Sequence, residues 1–191
     1  MALKSDATRW GGAAKFFHWT IVLAILAQGV LGLVMVEMPK RPSTIPYYSF
    51  HKSLGITILS LAVLRLAWRL FDARPRDVAG MPPWQALAAR FGHALLYVLI
   101  FAVPLSGWLF DSASSLRPLY WFGLFKLPSL TGGKDDAIRE FAEGAHEFLF
   151  WVLILVAAGH AAAALAHHFI HRDETLVRML PWRARNPNRV R

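Results

Sequence analysis

The chain has 191 residues, 55% of them hydrophobic and 17% charged, with a net charge of +9 and no cysteine. Its mean hydropathy of +0.38 is too apolar for an ordinary soluble domain, and the missing cysteines exclude disulfides, thiolate catalysis, Cys-ligated iron–sulfur clusters and covalent c-type haem attachment. The basic excess clusters at the ends of apolar stretches, where it sets membrane topology, so it does not indicate nucleic acid.

Four stretches are long enough to cross a hydrocarbon core, which takes about 20 helical residues. The first, Phe16 to Val36, is too long for a signal-peptide core and is followed by Glu37-Met38-Pro39-Lys40-Arg41 instead of small residues. It is therefore expected to remain as helix one, ended by Pro39 and Pro42. The second, Leu54 to Leu70, is approached from His51. A connection rich in Pro, Arg and Gly, Asp72 to Pro83, leads to the third, Leu87 to Phe110, and Pro82-Pro83 suits the first turn of that helix. Pro104 is expected to kink it, with Ser106 or a neighbouring helix taking up the freed carbonyl. Asp111 to Glu143 mixes Trp121, Phe122, Leu124 and Phe125 with glycines and charges, as expected of a cap on the outer membrane surface. The fourth stretch runs from His146 to Ile170. Trp10, Trp19, Trp68, Trp84, Trp108, Trp151 and Trp182 fall near predicted helix ends, where indole rings favour the interface.

Charge then orients the bundle. The N-terminus, the region between helices two and three and the C-terminal tail, which includes Arg183, Arg185, Arg189 and Arg191, carry fourteen Lys or Arg, against seven on the other side. The positive-inside rule places both termini in the cytoplasm. The expectation is a single domain, residues 1–191, folded as an all-α integral-membrane four-helix bundle.

Eight histidines are present, and at least five lie in or beside the apolar stretches. Ionisable groups are costly in hydrocarbon and face the bundle interior with a partner, so each is a functional candidate. His146 and His160 are fourteen residues apart, which on an α-helix is about 40° short of four full turns and roughly 21 Å along the axis. They share a face at two depths, which leaves room for two haems. Each b-type iron takes a second imidazole from a facing helix. Helix four runs from outside to inside, so His146 is outer and His160 inner; His51, starting helix two, is outer and His18, starting helix one, is inner. The expected pairs are His51 with His146 and His18 with His160.

His93 competes for the inner position but ranks below His160, because its helix has no matching outer histidine. If it is not a ligand, it can hydrogen-bond a quinone oxygen or relay a proton. A packing hydrogen bond is the plain alternative. His167 continues the helix-four stripe toward the cytoplasm and is a second quinone or proton candidate. His168 and His171 fall at the wet interface. Lys15, Arg65 and Arg69 can pair with haem propionates or a quinone, or snorkel to the headgroups. Gly29, Gly32, Gly55, Gly107 and Gly159 interrupt apolar helices where a flat macrocycle would need close backbone approach, although helix packing alone also favours glycine there.

Phe17-His18-Trp19, His51-Lys52-Ser53-Leu54-Gly55, Phe91-Gly92-His93, Ala145-His146-Glu147 and the run from Gly159-His160 through Ala166-His167-His168-Phe169 to Arg178-Met179-Leu180-Pro181 together resemble the bacterial cytochrome b561 family. The superoxide-oxidising, ubiquinone-reducing branch is the most similar. The resemblance spans nearly the whole chain and implies two non-covalent haems b in the bacterial inner membrane. It also implies a direction: superoxide outside the cytoplasm reduces the outer haem, the inner haem receives the electron, ubiquinone is reduced near the cytoplasmic side and oxygen is released. The cations Lys40, Arg41, Lys52, Arg117, Lys126, Lys134 and Arg139 on the outer side suit an anionic donor. Two other readings remain. One is a cytochrome b subunit exchanging electrons between the quinone pool and a protein partner. The other is a transporter or binding protein whose imidazoles ligate zinc or copper, which the haem-scale separation on helix four disfavours.

Overall fold

The computed structural model describes residues 2–181; Trp182, Arg183, Arg185, Arg189 and Arg191 lie outside them. Four helices form the body: α1 (Gly12–Glu37), α2 (Ile45–Phe71), α3 (Pro83–Ser114) and α4 (Asp136–Phe169). Each is long and apolar enough to cross a membrane. A single 3-10 turn, Pro42–Thr44, precedes α2, and a two-stranded antiparallel hairpin, β1 (Tyr120–Trp121) and β2 (Phe125–Lys126), lies between α3 and α4.

The inside and outside of this bundle differ from those of a soluble protein. Its fully buried apolar core is small and centres on Ala62, Leu99, Ile100 and Leu153, while Leu23, Val30, Leu64, Val98 and Leu155 are all more than half exposed. Apolar side chains projecting from every helix are stable only where the surrounding solvent is itself hydrocarbon, and a helix satisfies its own backbone polar groups there.

The helices extend beyond the apolar stretches. Pro82 caps α3 and Pro83 opens it, at positions whose amide hydrogen would have no helical partner. α3 then continues through Pro104 to Ser114, where Ser115 adopts a left-handed conformation (φ 48°) and ends it. α4 begins ten residues before His146, because the Asp135 carboxylate caps it by accepting a hydrogen bond from the Ile138 amide at 2.9 Å. The segment expected to span Asp111 to Glu143 is therefore only residues 115–135. His51 and His146 consequently sit inside their helices instead of starting them, and Trp151 lies in the middle of α4, away from either end. Ser106 also departs from expectation: its hydroxyl donates to the Val103 carbonyl at 2.8 Å, not to the carbonyl of residue 100 that Pro104 leaves without a donor.

α3 packs most closely on α4, α1 on α2, and α2 on α3. The start of α1 and the segment after α4 meet at one end of the bundle, where the Lys15 ammonium donates to the Leu180 carbonyl at 2.8 Å and Trp19 Nε1 to the Met179 carbonyl at 2.9 Å. Residues before α1 close the same end. Ser5 donates from its amide and hydroxyl to the Asp72 carboxylate at 2.8 and 2.5 Å, and the Arg76 amide donates to the Ala7 carbonyl. Gly11 is needed here, since a Cβ on it would stand 2.4 Å from the Leu3 carbonyl oxygen.

Candidate functional site: two histidine clusters

Five histidines inside the helices collect into two groups, one toward each end of the bundle. At one end His51 of α2 faces His146 of α4, with ring centroids 6.3 Å apart. At the other, His18 of α1 faces His160 of α4, again at 6.3 Å, and His93 of α3 approaches His160 at 5.2 Å. Both facing pairs join α4 to helices whose backbones are not closely packed against it, since the near neighbour of α4 is α3. The side chains thus reach across a wider interface than ordinary packing needs.

The separations discriminate among the rings. A metal–imidazole bond is about 2.0–2.1 Å and the ligating nitrogen lies about 1.2 Å from its ring centre, so two imidazoles on opposite sides of one ion hold their centroids about 6.4 Å apart. His51 with His146 and His18 with His160 meet that distance, whereas His93 with His160 is too close for an ion held in line between them. Among the described residues, no three His, Asp or Glu side chains converge as a compact metal site.

Tautomer and packing fit the same use. His146 Nδ1 lies 2.9 Å from the Val103 carbonyl, which can only accept, so Nδ1 carries the proton and Nε2 keeps its lone pair. Ser106 Oγ stands 3.2 Å from the same nitrogen. His18 Nδ1 and His51 Nδ1 are buried without a hydrogen-bond partner, which normally costs about 1–3 kcal/mol and marks a side chain retained for something other than packing. Two glycines seat the rings of the His51–His146 pair: a Cβ on Gly32 would lie 3.3 Å from His51 Cε1, and one on Gly107 would lie 3.0 Å from His146 Cε1. Gly29 instead faces Phe150 and Gly55 faces Gln28, while Gly159 has nothing within 4 Å. Close approach is thus a matter of particular glycines and not of all five.

The His51–His146 pair is capped. Ser53 Oγ accepts from the Phe122 amide at 3.0 Å, and Trp121 Nε1 donates to Thr57 Oγ1 at 3.0 Å, which pins the β1–β2 hairpin to α2 just beyond His51. Phe122 takes a left-handed backbone (φ 46°) at the hairpin tip and packs its ring on Phe50. Lys52 forms an ion pair with the buried Asp111 carboxylate, tying α2 to the end of α3. From the sequence Lys52 is only one cation of a basic surface; its partner lies 59 residues away, a distance over which no sequence periodicity operates.

The group of His18, His93 and His160 lies among cations. Arg65 stacks over Tyr97 at 5.5 Å and Arg69 over Trp10 at 5.1 Å, and Arg69 Nη1 is buried without an acceptor. A free, buried guanidinium nitrogen of this kind suits a carboxylate such as a propionate. Lys15 spends one donor on Leu180 and has two more. His167 Nδ1 lies 2.5 Å from Asp173 Oδ2, and the His171 ring is 5.1 Å from that of His167. The sequence does not single out Asp173, whereas His171 is exposed as expected.

Comparison with known proteins shows the family. The profile of the prokaryotic cytochrome b561 family matches residues 9–182. Cytochrome b561 homolog 2 of Escherichia coli (strain K12) is 35% identical over 188 residues, covering 94% of this chain and 95% of that protein. Cytochrome b561 homolog 1 of the same strain is 30% identical over 176 residues, covering 92% and 98%. A protein of Yersinia pestis named probable superoxide oxidase CybB is 33% identical over 133 residues, covering 69% and 73%.

Proposed function

Because this chain belongs to the prokaryotic cytochrome b561 family, a family of membrane haem b electron-transfer proteins, we propose that it is a superoxide:ubiquinone oxidoreductase of the bacterial inner membrane. Two superoxide anions give one electron each, and ubiquinone takes both with two protons, yielding two molecules of oxygen and one ubiquinol. The observation that carries the reading is the 6.3 Å spacing repeated in two imidazole pairs at opposite depths. His51 with His146 would hold the outer haem b, and His18 with His160 the inner one. Each haem supplies one-electron transfer when bound.

The chain's own residues do the rest. Val103 and Ser106 fix the His146 tautomer, and Gly32 and Gly107 let the outer rings approach the backbone. Arg65 and Arg69 are placed to neutralise propionates. The excess of Lys and Arg at the end holding both termini assigns that end to the cytoplasm, and with it the inner pair, His93, His167, Lys15 and the quinone. The superoxide assignment draws support from the Yersinia relative's name and from the outer cations.

A second reading has an observation in its favour. Leu116, Leu124 and Phe125 are exposed around the outer hairpin, which suits a cytochrome b subunit that docks a protein partner and exchanges electrons with the quinone pool. Stopped-flow visible spectroscopy of the purified oxidised protein separates the two. Rapid haem reduction by superoxide, with reoxidation only when ubiquinone is added, supports the oxidase. Haems that are indifferent to superoxide overturn it and leave the subunit.

A further inference from the structure

The segment that follows α4 is folded back with unusual economy. Arg172 takes a left-handed backbone (φ 53°), and the Asp173 amide donates to the His167 carbonyl at 3.1 Å, so the chain reverses beneath the last turn of the helix. That reversal brings the Asp173 carboxylate onto His167. Oδ2 accepts from His167 Nδ1 at 2.5 Å, and Oδ1 accepts from the Thr175 amide at 2.8 Å. Both side chains are largely buried, at 16% and 18% exposure.

We propose that Asp173 is a positioning residue that fixes His167 as proton donor to the quinone oxygen, and that His171 exchanges protons between His167 and the cytoplasmic solvent. The inference rests on ubiquinone being the acceptor at the inner end. With Nδ1–H bound to a carboxylate, the imidazole is held in one orientation and its Nε2 is the atom left to give a proton. Burial pushes the Asp173 carboxyl up, but the hydrogen bonds from Thr175 and His167 outweigh it and hold it below the ordinary carboxylate value. Asp173 is therefore an anion at neutral pH, and an anion stabilises the imidazolium that forms when Nε2 is protonated. The His171 ring stands 5.1 Å from His167 on the exposed side.

The strap is held in place from several directions. Besides the Lys15 and Trp19 bonds to Leu180 and Met179, Arg178 Nη1 donates to the Arg76 carbonyl at 2.9 Å and Nε lies 3.5 Å from the Glu174 carboxylate. Lys15 and Trp19 flank His18 on α1, so the strap's position is tied to the helix that carries an inner imidazole. The proton balance is simple. Each of the two protons taken up by one ubiquinone leaves His167 Nε2 in turn and is replaced from water through His171, while Nδ1–H stays on Asp173.

The test uses the purified full-length protein, its haems reduced anaerobically with stoichiometric dithionite and then mixed with ubiquinone-1 in H2O and in D2O. Asp173→Asn is expected to keep both haems and to slow reoxidation about tenfold or more at saturating quinone, with KM within about twofold and an enlarged solvent isotope effect. Asp173→Glu should recover most of that rate. His171→Gln, on an exposed ring, carries the test should an Asn at 173 cost haem. It is expected to slow reoxidation about threefold with a similarly enlarged isotope effect. Unchanged rates and isotope effects in the variants overturn the proposal. A wild-type protein that reduced haem does not lose electrons to ubiquinone-1 overturns the functional reading first, and this inference with it.

Discussion

The two ends of the bundle are built on different principles although each presents an imidazole pair at the same 6.3 Å. At the outer end everything around the pair restricts motion. Backbone glycines press on both rings, a carbonyl fixes one tautomer, a hairpin is pinned over the site by Ser53 and Thr57, and Lys52 is locked to Asp111. At the inner end the surroundings titrate or carry charge: a third histidine, two stacked arginines, and a carboxylate–imidazole pair with an exposed histidine beside it. An electron can pass at a rigid site. A quinone also needs protons, and the inner end has histidines outside its facing pair to supply them.

The largest expected effect breaks the outer end's reliance on close packing. Gly107→Val drives a branched side chain into a ring that a bare Cβ would already meet at 3.0 Å, and it should reduce the haem content of purified protein from two to one per chain by pyridine haemochrome assay. Next, His93→Ala should keep both haems, because its 5.2 Å approach to His160 is too short for an ion held in line between the two rings. It should slow haem reoxidation by ubiquinone about tenfold. A one-haem spectrum from His93→Ala would erase the contrast between ligand and proton group at the inner end.

Two smaller effects sharpen it. Lys52→Met leaves the Asp111 carboxylate buried without its cation, which should cost about 2 kcal/mol and lower Tm by about 4–8 °C, with Lys52→Met/Asp111→Asn recovering more than half. Ser5→Ala at the inner end removes the hydroxyl's hydrogen bond to Asp72 and the one it accepts from the Gly11 amide and should lower Tm by about 3 °C at neutral pH. Burial pushes the Asp72 carboxyl up, yet the hydrogen bonds it accepts, first those from Ser5, outweigh it and leave it below the ordinary value. A carboxyl depressed in the folded state contributes stability above its unfolded value and loses it as pH falls through the folded one. The gap between Ser5→Ala and wild type should therefore narrow in acid to the part due to the Gly11 bond; a gap that does not change with pH would take Asp72 out of the effect.

Much of this could be read from the chain because a membrane simplifies the problem. Four spans follow from apolar length alone, and a fourteen-residue interval puts His146 and His160 on one face wherever the helix begins. The helix ends did not follow, because Ile45–Ser49 and Asp136–Ala145 are too polar to count as membrane core although Pro46 and Asp135 set good helix starts. Side chains that act across elements were equally hidden. The Lys52–Asp111 pair and the Ser53 contact to the hairpin join residues 59 and 69 apart, and Asp173 reaches His167 only through the left-handed turn at Arg172. Pattern reasoning placed the histidines by depth; only the folded α3 brought His93 against His160.

α4 supplies one imidazole to each pair, and it is the last of the four helices to be made. Ribosomes release a chain from its N-terminus onward, so His18 and His51 reach the bilayer long before His146 and His160 exist. On the proposed pairing, neither haem can be seated before α4 is made, and a chain cut short before it would carry no cofactor at all. Cofactor loading would thus wait for α4, which keeps half-built, redox-active intermediates out of the membrane.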